Sequence, residues 1–260
     1  MILPKISIVI PSFNKGRFIG QTLDSIAIQK YPNLEVIIQD GGSTDGTISI
    51  IKEFAQKYPK VIRFESKKDK GQLDAINKGI GKATGEILTY INADDVYESG
   101  AFDSVAKAYC ERPNSLWFVG RGKVIDSNGR EIAKAVTWYK SLCLLLNFHF
   151  LLLIFNFIMQ PSVFLTRSAW EKFGPFTGTP NFVMEYDLWL KLGAVFMPTV
   201  IDNNLSCFRL SDDNISSTSF KNTLEEDFRI VKKHTRNPII LFMHKLNNWG
   251  RVLTINILNK

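Results

Sequence analysis

The feature of this sequence that most constrains its fold is a regular alternation of two hydrophobic periodicities across the first 112 residues. Short β-branched runs alternate with segments in which apolar residues recur every three or four positions. The pattern predicts strands at 6–10, 34–38, 61–64 and 86–91, and helices at 18–26, 48–55, 73–83 and 102–109. This order indicates βαβ units, and therefore an α/β fold with a mainly parallel, Rossmann-like sheet between helices.

The second half of the chain is less regular. Its pattern predicts strands at 116–119, 123–126 and 163–165, and a helix at 186–192. Asn128 and Gly129 form a strong hairpin-turn signal, which predicts a further strand at 131–136. From Lys221 onward the sequence is basic and helical in pattern.

Composition narrows the class of protein. Hydrophobic residues make up 45% and charged residues 22% of the chain, which is typical of a globular domain. The formal net charge is +7, but the lysines are scattered without an aromatic-interleaved basic stripe, so we predict no nucleic-acid partner. Three widely spaced cysteines argue against a disulfide framework or zinc site and suit a reducing cytosol, and residues 1–10 read as a strand rather than a signal peptide.

Polar residues follow each of the four predicted parallel strands. They are residues 11–14 (Pro-Ser-Phe-Asn), 40–47 (Asp-Gly-Gly-Ser-Thr-Asp-Gly-Thr), 69–72 (Asp-Lys-Gly-Gln) and 92–95 (Asn-Ala-Asp-Asp). Turn chemistry explains any one such loop, but four in succession are harder to explain that way. Because ligands bind beyond the carboxyl ends of the strands in open parallel sheets, we expect a site at this edge.

Asp94 and Asp95 are the sharpest signal at that edge. Two adjacent carboxylates after a buried strand repel each other unless a cation or hydrogen-bond donors compensate. Mn²⁺ or Mg²⁺ is the natural partner, since these ions use few protein carboxylates and complete their shell with phosphates and water. The alternative is that one of the two aspartates caps the next helix.

Together, these motifs closely resemble those of the family 2 inverting glycosyltransferases, which have the GT-A fold. The second half adds residues 160–164 (Gln-Pro-Ser-Val-Phe), 173–176 (Phe-Gly-Pro-Phe) and 185–192, which begin Glu-Tyr-Asp. The resemblance covers roughly residues 5–215, with motifs in the family's order. It implies a catalytic domain over residues 1–220, divided into a nucleotide-binding half (1–112) and an acceptor-binding half (113–220), followed by a basic amphipathic helical tail (221–260).

The resemblance also implies roles for individual residues. Asp40 would contact the base, which favours UDP, and Asp94 would bind the metal with support from Asp95. The predicted nucleotide-binding residues are Pro11, Ser12, Asn14, Asp40, Gly71, Asp74, Asn92 and Arg209.

Two positions depart from the family pattern. Glu185 stands where the family has an aspartate that acts as general base, with Asp187 as the fallback; either acid could instead merely favour the start of a helix. Ser211 replaces a histidine that can touch the metal or the diphosphate in relatives. An inactive relative, or a nucleotide- or anion-binding module, is therefore the alternative to an active transferase.

The implied activity is transfer of a sugar from a nucleotide-sugar donor to a glycan or lipid-linked acceptor in cell-surface polysaccharide synthesis.

Residues 142–159 are very apolar but short for a membrane span, so they predict either membrane contact or a buried or subunit-interface helix of a homo-oligomer. In the tail, one helical face carries six apolar residues: Ile239, Phe242, Met243, Leu246, Leu253 and Ile257. We therefore expect a cytoplasmic enzyme, peripheral at the anionic inner face of the plasma membrane.

Overall fold

The structure is a computed structural model that describes residues 3–178, 183–211 and 220–258. Its strands are β1 (Ile6–Ser12), β2 (Leu34–Asp40), β3 (Ile62–Ser66), β4 (Ile87–Tyr90), β5 (Val96–Tyr97), β6 (Trp117–Ile125), β7 (Glu131–Ile132), β8 (Val163–Thr166) and β9 (Thr199–Arg209). Its helices are α1 (Ile19–Ala27), α2 (Thr47–Lys57), α3 (Gln72–Lys82), α4 (Ala101–Glu111), α5 (Lys134–Leu146), α6 (His149–Phe155), α7 (Arg167–Phe173), α8 (Tyr186–Val195), α9 (Phe220–His234) and α10 (Pro238–Leu258).

One nine-stranded sheet runs through the molecule in the order β3-β2-β1-β4-β8-β6-β9-β5, with β7 paired to β6. The strands β3, β2, β1 and β4 are parallel, as the alternation of strands and helices predicts. Beyond β4 the sheet becomes mixed, because β8 pairs antiparallel with both β4 and β6. The predicted α/β fold with a helical C-terminus is confirmed.

The strand sequences divide their side chains between two hydrophobic cores. Ile8 and Ile10 face a core shared with α1, α2 and α4, whereas Val9 faces a second core shared with α3 and α5–α8. Successive side chains of a strand point to opposite faces, so a continuous apolar run can fill both cores. This is why the first strands carry no polar alternation.

Two sequence-based strand predictions need correction. The segments 116–119 and 123–126 form the single strand β6, whose pairing with β9 shifts register around Gly120 and Gly122. Glycines at such an irregularity look like a strand break in sequence. The predicted strand at 131–136 ends at Ile132, because α5 begins at Lys134.

The apolar stretch 142–159 forms the end of α5 and all of α6, separated by Asn147 in a left-handed conformation (φ 51°). A second left-handed asparagine, Asn156, ends α6. Leu152 and Leu153 are buried in the second core, and Ile154 is buried as well. Within the residues that the structure describes, no helix is long and apolar enough to cross a membrane.

The C-terminal helices pack against the rest of the molecule. Ile230 and Val231 of α9 belong to the same buried core as Trp189 of α8. The boundary predicted at residue 220 adjoins residues 212–219, which lie outside the described part of the chain, and the side chains of Leu253 and Ile257 also lie outside it. The division into catalytic domain and tail stays a prediction.

Candidate active site

A cleft of about 640 Å³ opens at the carboxyl ends of β1 and β4, where the strand-end motifs predict a site. Residues from both halves of the chain line it, including the predicted Pro11, Ser12, Gly71, Asn92, Asp94 and Glu185. Further lining residues are Phe13, Lys15, Gly41, Lys68, Asp69, Gln72, Ala75, Tyr90, Ala93, Gln160, Val183, Met184, Phe208 and Thr223.

Asp40 organises the loop after β2. It is 2% exposed, and its carboxylate accepts hydrogen bonds from Gly42 N (2.9 Å), Ser43 N (2.9 Å), Ser43 Oγ (2.6 Å) and Ser66 Oγ (2.7 Å). Asn14, in a left-handed conformation, accepts a bond from Thr44 N on Oδ1 at 2.9 Å. Neither residue lines the cleft itself: both brace the loop that brings Gly41 to it, and direct contact of either with a nucleotide stays a prediction.

The cleft wall at β1 and α3 offers groups for a ligand. Ser12 Oγ is buried and has no hydrogen-bond partner among the described residues, so a bound molecule could satisfy it. Gly71 has φ 100°, a conformation that favours glycine, and it brings the N-terminus of α3 to the cleft. Asp74, one turn into α3, bonds Lys78 Nζ (2.6 Å) and Lys70 N (3.1 Å).

Asp95 and Arg209 form a buried scaffold behind the cleft. Asp95 is fully buried and accepts bonds from Arg209 N (2.8 Å) and Asn92 Nδ2 (3.1 Å). Burial, with the charge of Asp94, raises the pKa of Asp95 well above its ordinary value. Arg209 donates to the carbonyl oxygen of Asp94 at 2.8 Å and to Gln21 Oε1 at 2.8 Å. Arg209 is 2% exposed, so the geometry favours a structural role for it.

Asp94 presents its carboxylate to the cleft. Its Oδ2 lies 2.7 Å from Lys15 Nζ, and the residue is 5% exposed. Over the described ranges, no three His, Cys, Asp or Glu side chains are grouped to hold a metal ion. One carboxylate suffices for Mn²⁺ or Mg²⁺ that draws most ligands from phosphates and water, so Asp94 fits such an ion.

Glu185 lies at the N-cap of α8 and faces the same cleft. Burial raises its pKa to about 7, and the charge of Asp227 adds to the rise. A hydrogen bond with Tyr90 and the charge of Lys140 oppose it. A carboxylate with a pKa near neutrality is suited to taking a proton at physiological pH.

Asp187 lies two residues after Glu185 and does not line the cleft. Its carboxylate bonds Lys191 Nζ at 2.6 Å and His234 Nε2 at 2.8 Å, which ties α8 to α9. Burial raises the pKa of Asp187, but the bonds from Lys191 and His234 outweigh it and lower the value overall. The two predicted acids thus have different surroundings, and Glu185 is the one at the cleft.

Several lining residues were not among the predicted ones. Lys15 and Lys68 bring positive charge, Asp69 lies beside Gly41, and Phe13 is an exposed ring at the end of β1. Phe13 and Asp69 lie within strand-end motifs, and Lys15 and Lys68 adjoin such motifs, so these motifs could have indicated all four residues. Gln160 belongs to the 160–164 motif, which was the signal for it. Tyr90 carried no signal, because an aromatic residue in a strand is common.

The family model of glycosyl transferase family 2 matches residues 7–173. The chain belongs to this family. A PGL/p-HBAD biosynthesis glycosyltransferase of Mycobacterium tuberculosis is 38% identical to this family 2 chain over 107 residues, 41% of this chain and 42% of that protein. Chondroitin synthase of Escherichia coli is 26% identical over 238 residues, 89% of this chain and 32% of that protein. The chain spans less than half of the length of these curated relatives.

Solved structures agree with the fold. A mannosyltransferase from Pyrobaculum calidifontis, in complex with GDP-Man and Mn²⁺, superposes with a TM-score of 0.70 at 19% identity over 94% of this chain and 69% of that one. TarS of S. aureus (residues 1–349), in complex with UDP-GlcNAc, gives 0.64 at 18% identity over 90% of this chain and 67% of that one. At these identities the likeness shows that this family 2 chain has the GT-A fold.

Proposed function

We propose that this protein is an inverting glycosyltransferase that moves a sugar from a nucleoside-diphosphate sugar to an acceptor hydroxyl. The observation that carries the proposal is that two carboxylates with different surroundings line the same cleft. Asp94 enters from the end of β4, and Glu185 enters from the start of α8. Family membership and the structural neighbours that hold nucleotide sugars support the same reading.

The proposed reaction is a single displacement. The carboxylate of Glu185 takes the proton of the acceptor hydroxyl as its oxygen attacks the anomeric carbon, and the bond from that carbon to the diphosphate oxygen breaks. Lys15 and Lys68 offer ammonium groups to the phosphates. A divalent cation held by Asp94 would neutralise charge on the leaving nucleoside diphosphate. One base and one displacement give inversion without a covalent sugar-enzyme intermediate.

For the donor we propose UDP as the nucleotide. The resemblance pairs an aspartate at position 40 with uracil, and here Asp40 holds the loop that brings Gly41 to the cleft. The neighbours include both a UDP-GlcNAc and a GDP-Man complex, so the sugar and base need a direct test. For the acceptor we propose a glycan or lipid-linked intermediate of cell-surface polysaccharide synthesis, with the enzyme peripheral at the inner face of the plasma membrane.

Thermal denaturation with UDP, GDP and dTDP, with and without Mn²⁺, tests donor binding. A ligand bound only by the folded state raises the melting temperature as its concentration exceeds the Kd. We expect UDP with Mn²⁺ to give the largest rise. Retention on an anionic resin, without stabilisation by any nucleotide, would instead support an anion-binding module.

The substitution Asp94→Ala tests the metal assignment. We expect it to abolish the Mn²⁺-dependent part of UDP binding in titration calorimetry, because it removes the carboxylate that faces the cleft. Asp202→Ala is the matched control, since the exposed Asp202 pairs with Arg121 and does not line the cleft. Unchanged Mn²⁺-dependent binding in Asp94→Ala would show that the metal is held elsewhere.

A further inference from the structure

Helix α10 turns its apolar face away from the protein. Ile239, Phe242, Leu246 and Trp249 are 71%, 64%, 47% and 61% exposed, respectively. Their spacings of three, four and three residues place them along one side of the helix. We call these four residues the α10 stripe. Large apolar side chains aligned on an exposed face usually mark an interaction site.

The inward face of α10 combines apolar and polar contacts. Ile240 and Leu241 pack against the second core. His244 is fully buried, with Nδ1 2.8 Å from the carbonyl oxygen of Leu153, and Asn247 Nδ2 donates to the carbonyl oxygen of Ile154 at 3.3 Å. These carbonyls belong to the last turn of α6, which has no partners for them within its own helix. These contacts fix the orientation of the helix and leave the α10 stripe on its outer side.

Positive charge predominates on the second half of α9 and on α10. From residue 228 to the end of the sequence there is no Asp or Glu, while Arg and Lys occur seven times. Five of these basic side chains lie exposed on or between α9 and α10: Arg229, Lys232, Lys233, Arg236 and Lys245. A basic surface of this kind is attracted to an anionic one.

A second group of exposed apolar side chains lies at the end of α5 and the start of α6, the helix that α10 packs against. Leu145, Leu146, Phe148 and Phe150 are each about half exposed or more, and the rings of Phe148 and Phe150 stack at 5.6 Å. Both α6 and α10 thus expose apolar groups. This combination of Phe, Trp and Leu with Lys and Arg is typical of helices that lie in the interface of a bilayer.

We propose that the α10 stripe is a membrane-docking face that inserts into the surface of an anionic phospholipid bilayer, with the basic residues of α9 and α10 contacting the lipid headgroups. The proposal rests on the proposed function, because a lipid-linked acceptor would be presented at that surface. The α10 stripe would be the surface that brings the enzyme to such an acceptor.

The test is co-sedimentation of the full-length chain with vesicles of phosphatidylglycerol and phosphatidylcholine, compared with vesicles of phosphatidylcholine alone. We expect binding to the anionic vesicles that weakens in high salt. The double substitution Phe242→Ser with Trp249→Ser should weaken this binding by about tenfold or more, since it removes two inserting side chains. Ile28→Ser is the matched control, because Ile28 is 60% exposed at the end of α1, and it should bind like the wild type.

Trp249 also reports insertion directly. Quenching of tryptophan fluorescence by brominated anionic lipid should be greater in the wild type than in Trp249→Phe, which keeps an apolar ring and should keep vesicle binding. The proposal is overturned if the wild type stays in the supernatant, or if the Ser double variant sediments as well as the wild type. It is also overturned if Ile28→Ser is equally impaired, or if light scattering shows a wild-type dimer that the double variant disrupts without any vesicle binding.

Stabilisation by UDP and Mn²⁺ is measured on the same variants. In the wild type, nucleotide stabilisation without vesicle binding would reject the docking face alone. In the Ser double variant, weakened vesicle binding with nucleotide stabilisation retained is the expected result. Lost nucleotide stabilisation in the wild type would reject the proposed function whatever the vesicles show.

Discussion

At the scale of single residues, Glu185 and Asp187 show how two acids on one helix turn acquire opposite properties. Glu185 lies at the cleft, where burial raises its pKa to about 7. Asp187 is also buried, but it is paired with Lys191 and His234, whose hydrogen bonds lower its pKa overall. The difference arises because only one of the two carboxylates has cationic partners within hydrogen-bonding distance.

This contrast predicts which acid serves as the base. Glu185→Gln should keep donor binding and reduce kcat by about 10²–10⁴, the usual contribution of a positioned general base. In the wild type, kcat/KM should rise with pH through about 7, as Glu185 loses its proton. Steady-state kinetics of Glu185→Gln and Asp187→Asn check both points. A large loss in Asp187→Asn together with an active Glu185→Gln would exchange the roles.

Removing the charge of Glu185 or of Asp187 should change the stability of the protein in opposite directions. The folded pKa of Glu185 is raised, so stability is lost as pH rises from 4.5 through about 7. Glu185→Gln should therefore be more stable than the wild type at pH about 8, by at most about 3 kcal/mol, with no gain near pH 4. Asp187 has a lowered pKa, so Asp187→Asn should be less stable at neutral pH, by about 1–3 kcal/mol, with the loss shrinking in acid. Denaturant unfolding of both variants across pH measures these free-energy differences. A change of the same sign in both variants at neutral pH would contradict the prediction.

At the scale of elements, α3 lies unusually close to β1. A Cβ atom added at Gly79 would come within 2.3 Å of Val9 Cγ1, whereas one added at Gly81, on the same helix, meets nothing within 4 Å. Val9 is fully buried in the central strand β1 and has no room to move. The close approach holds the N-terminus of α3, with Gly71 and Gln72, against the cleft.

We therefore expect Gly79→Ala to destabilise the protein by about 1–3 kcal/mol through overpacking. Gly81→Ala is the matched control and should stabilise it by up to about 1 kcal/mol, because alanine favours the helix. Thermal and denaturant unfolding measure both. A stable Gly79→Ala would mean that β1 and α3 can separate, and in that case UDP binding should show whether the cleft tolerates the shift.

At the scale of the whole molecule, the C-terminal helices differ in how deeply they are integrated. Ile230 and Val231 of α9 are buried with Trp189, and Asp227 is fully buried in an ion pair with Arg251 of α10. Helix α10 contacts α6 through His244 and Asn247, and its Ile240 and Leu241, which are only partly buried, pack against the same core. Removing α9 uncovers fully buried core residues, whereas removing α10 alone uncovers less of the core and leaves Asp227 without Arg251.

Removal of residues 221–260 should therefore lower the melting temperature strongly or leave the protein insoluble, since it uncovers buried apolar side chains of α8. Removal of residues 238–260 should leave a folded protein that still gains stability from UDP and Mn²⁺. Calorimetric unfolding of the two truncated chains distinguishes these outcomes. If the longer deletion were as stable as the full chain, residues 221–260 would be an independent tail, as the sequence predicts.

The sequence by itself determined the fold class, the parallel first half of the sheet and the edge at which the cleft lies, because hydrophobic period and strand-end chemistry are local properties. The strand-end motifs include Ser12, Gly71, Asn92 and Asp94, and the family resemblance indicated Glu185. All five line the cleft. Only the tertiary structure decided that Arg209 and Asp95 lie behind the cleft, that Asp187 pairs with His234, and that Lys15 and Tyr90 reach the two carboxylates. It also decided which side of the final helix packs on the protein, and that Ile239, Phe242, Leu246 and Trp249 stay exposed. These features depend on which distant segments meet, and the charge, burial and hydrogen-bond partners of a side chain are set by those meetings rather than by its neighbours in sequence.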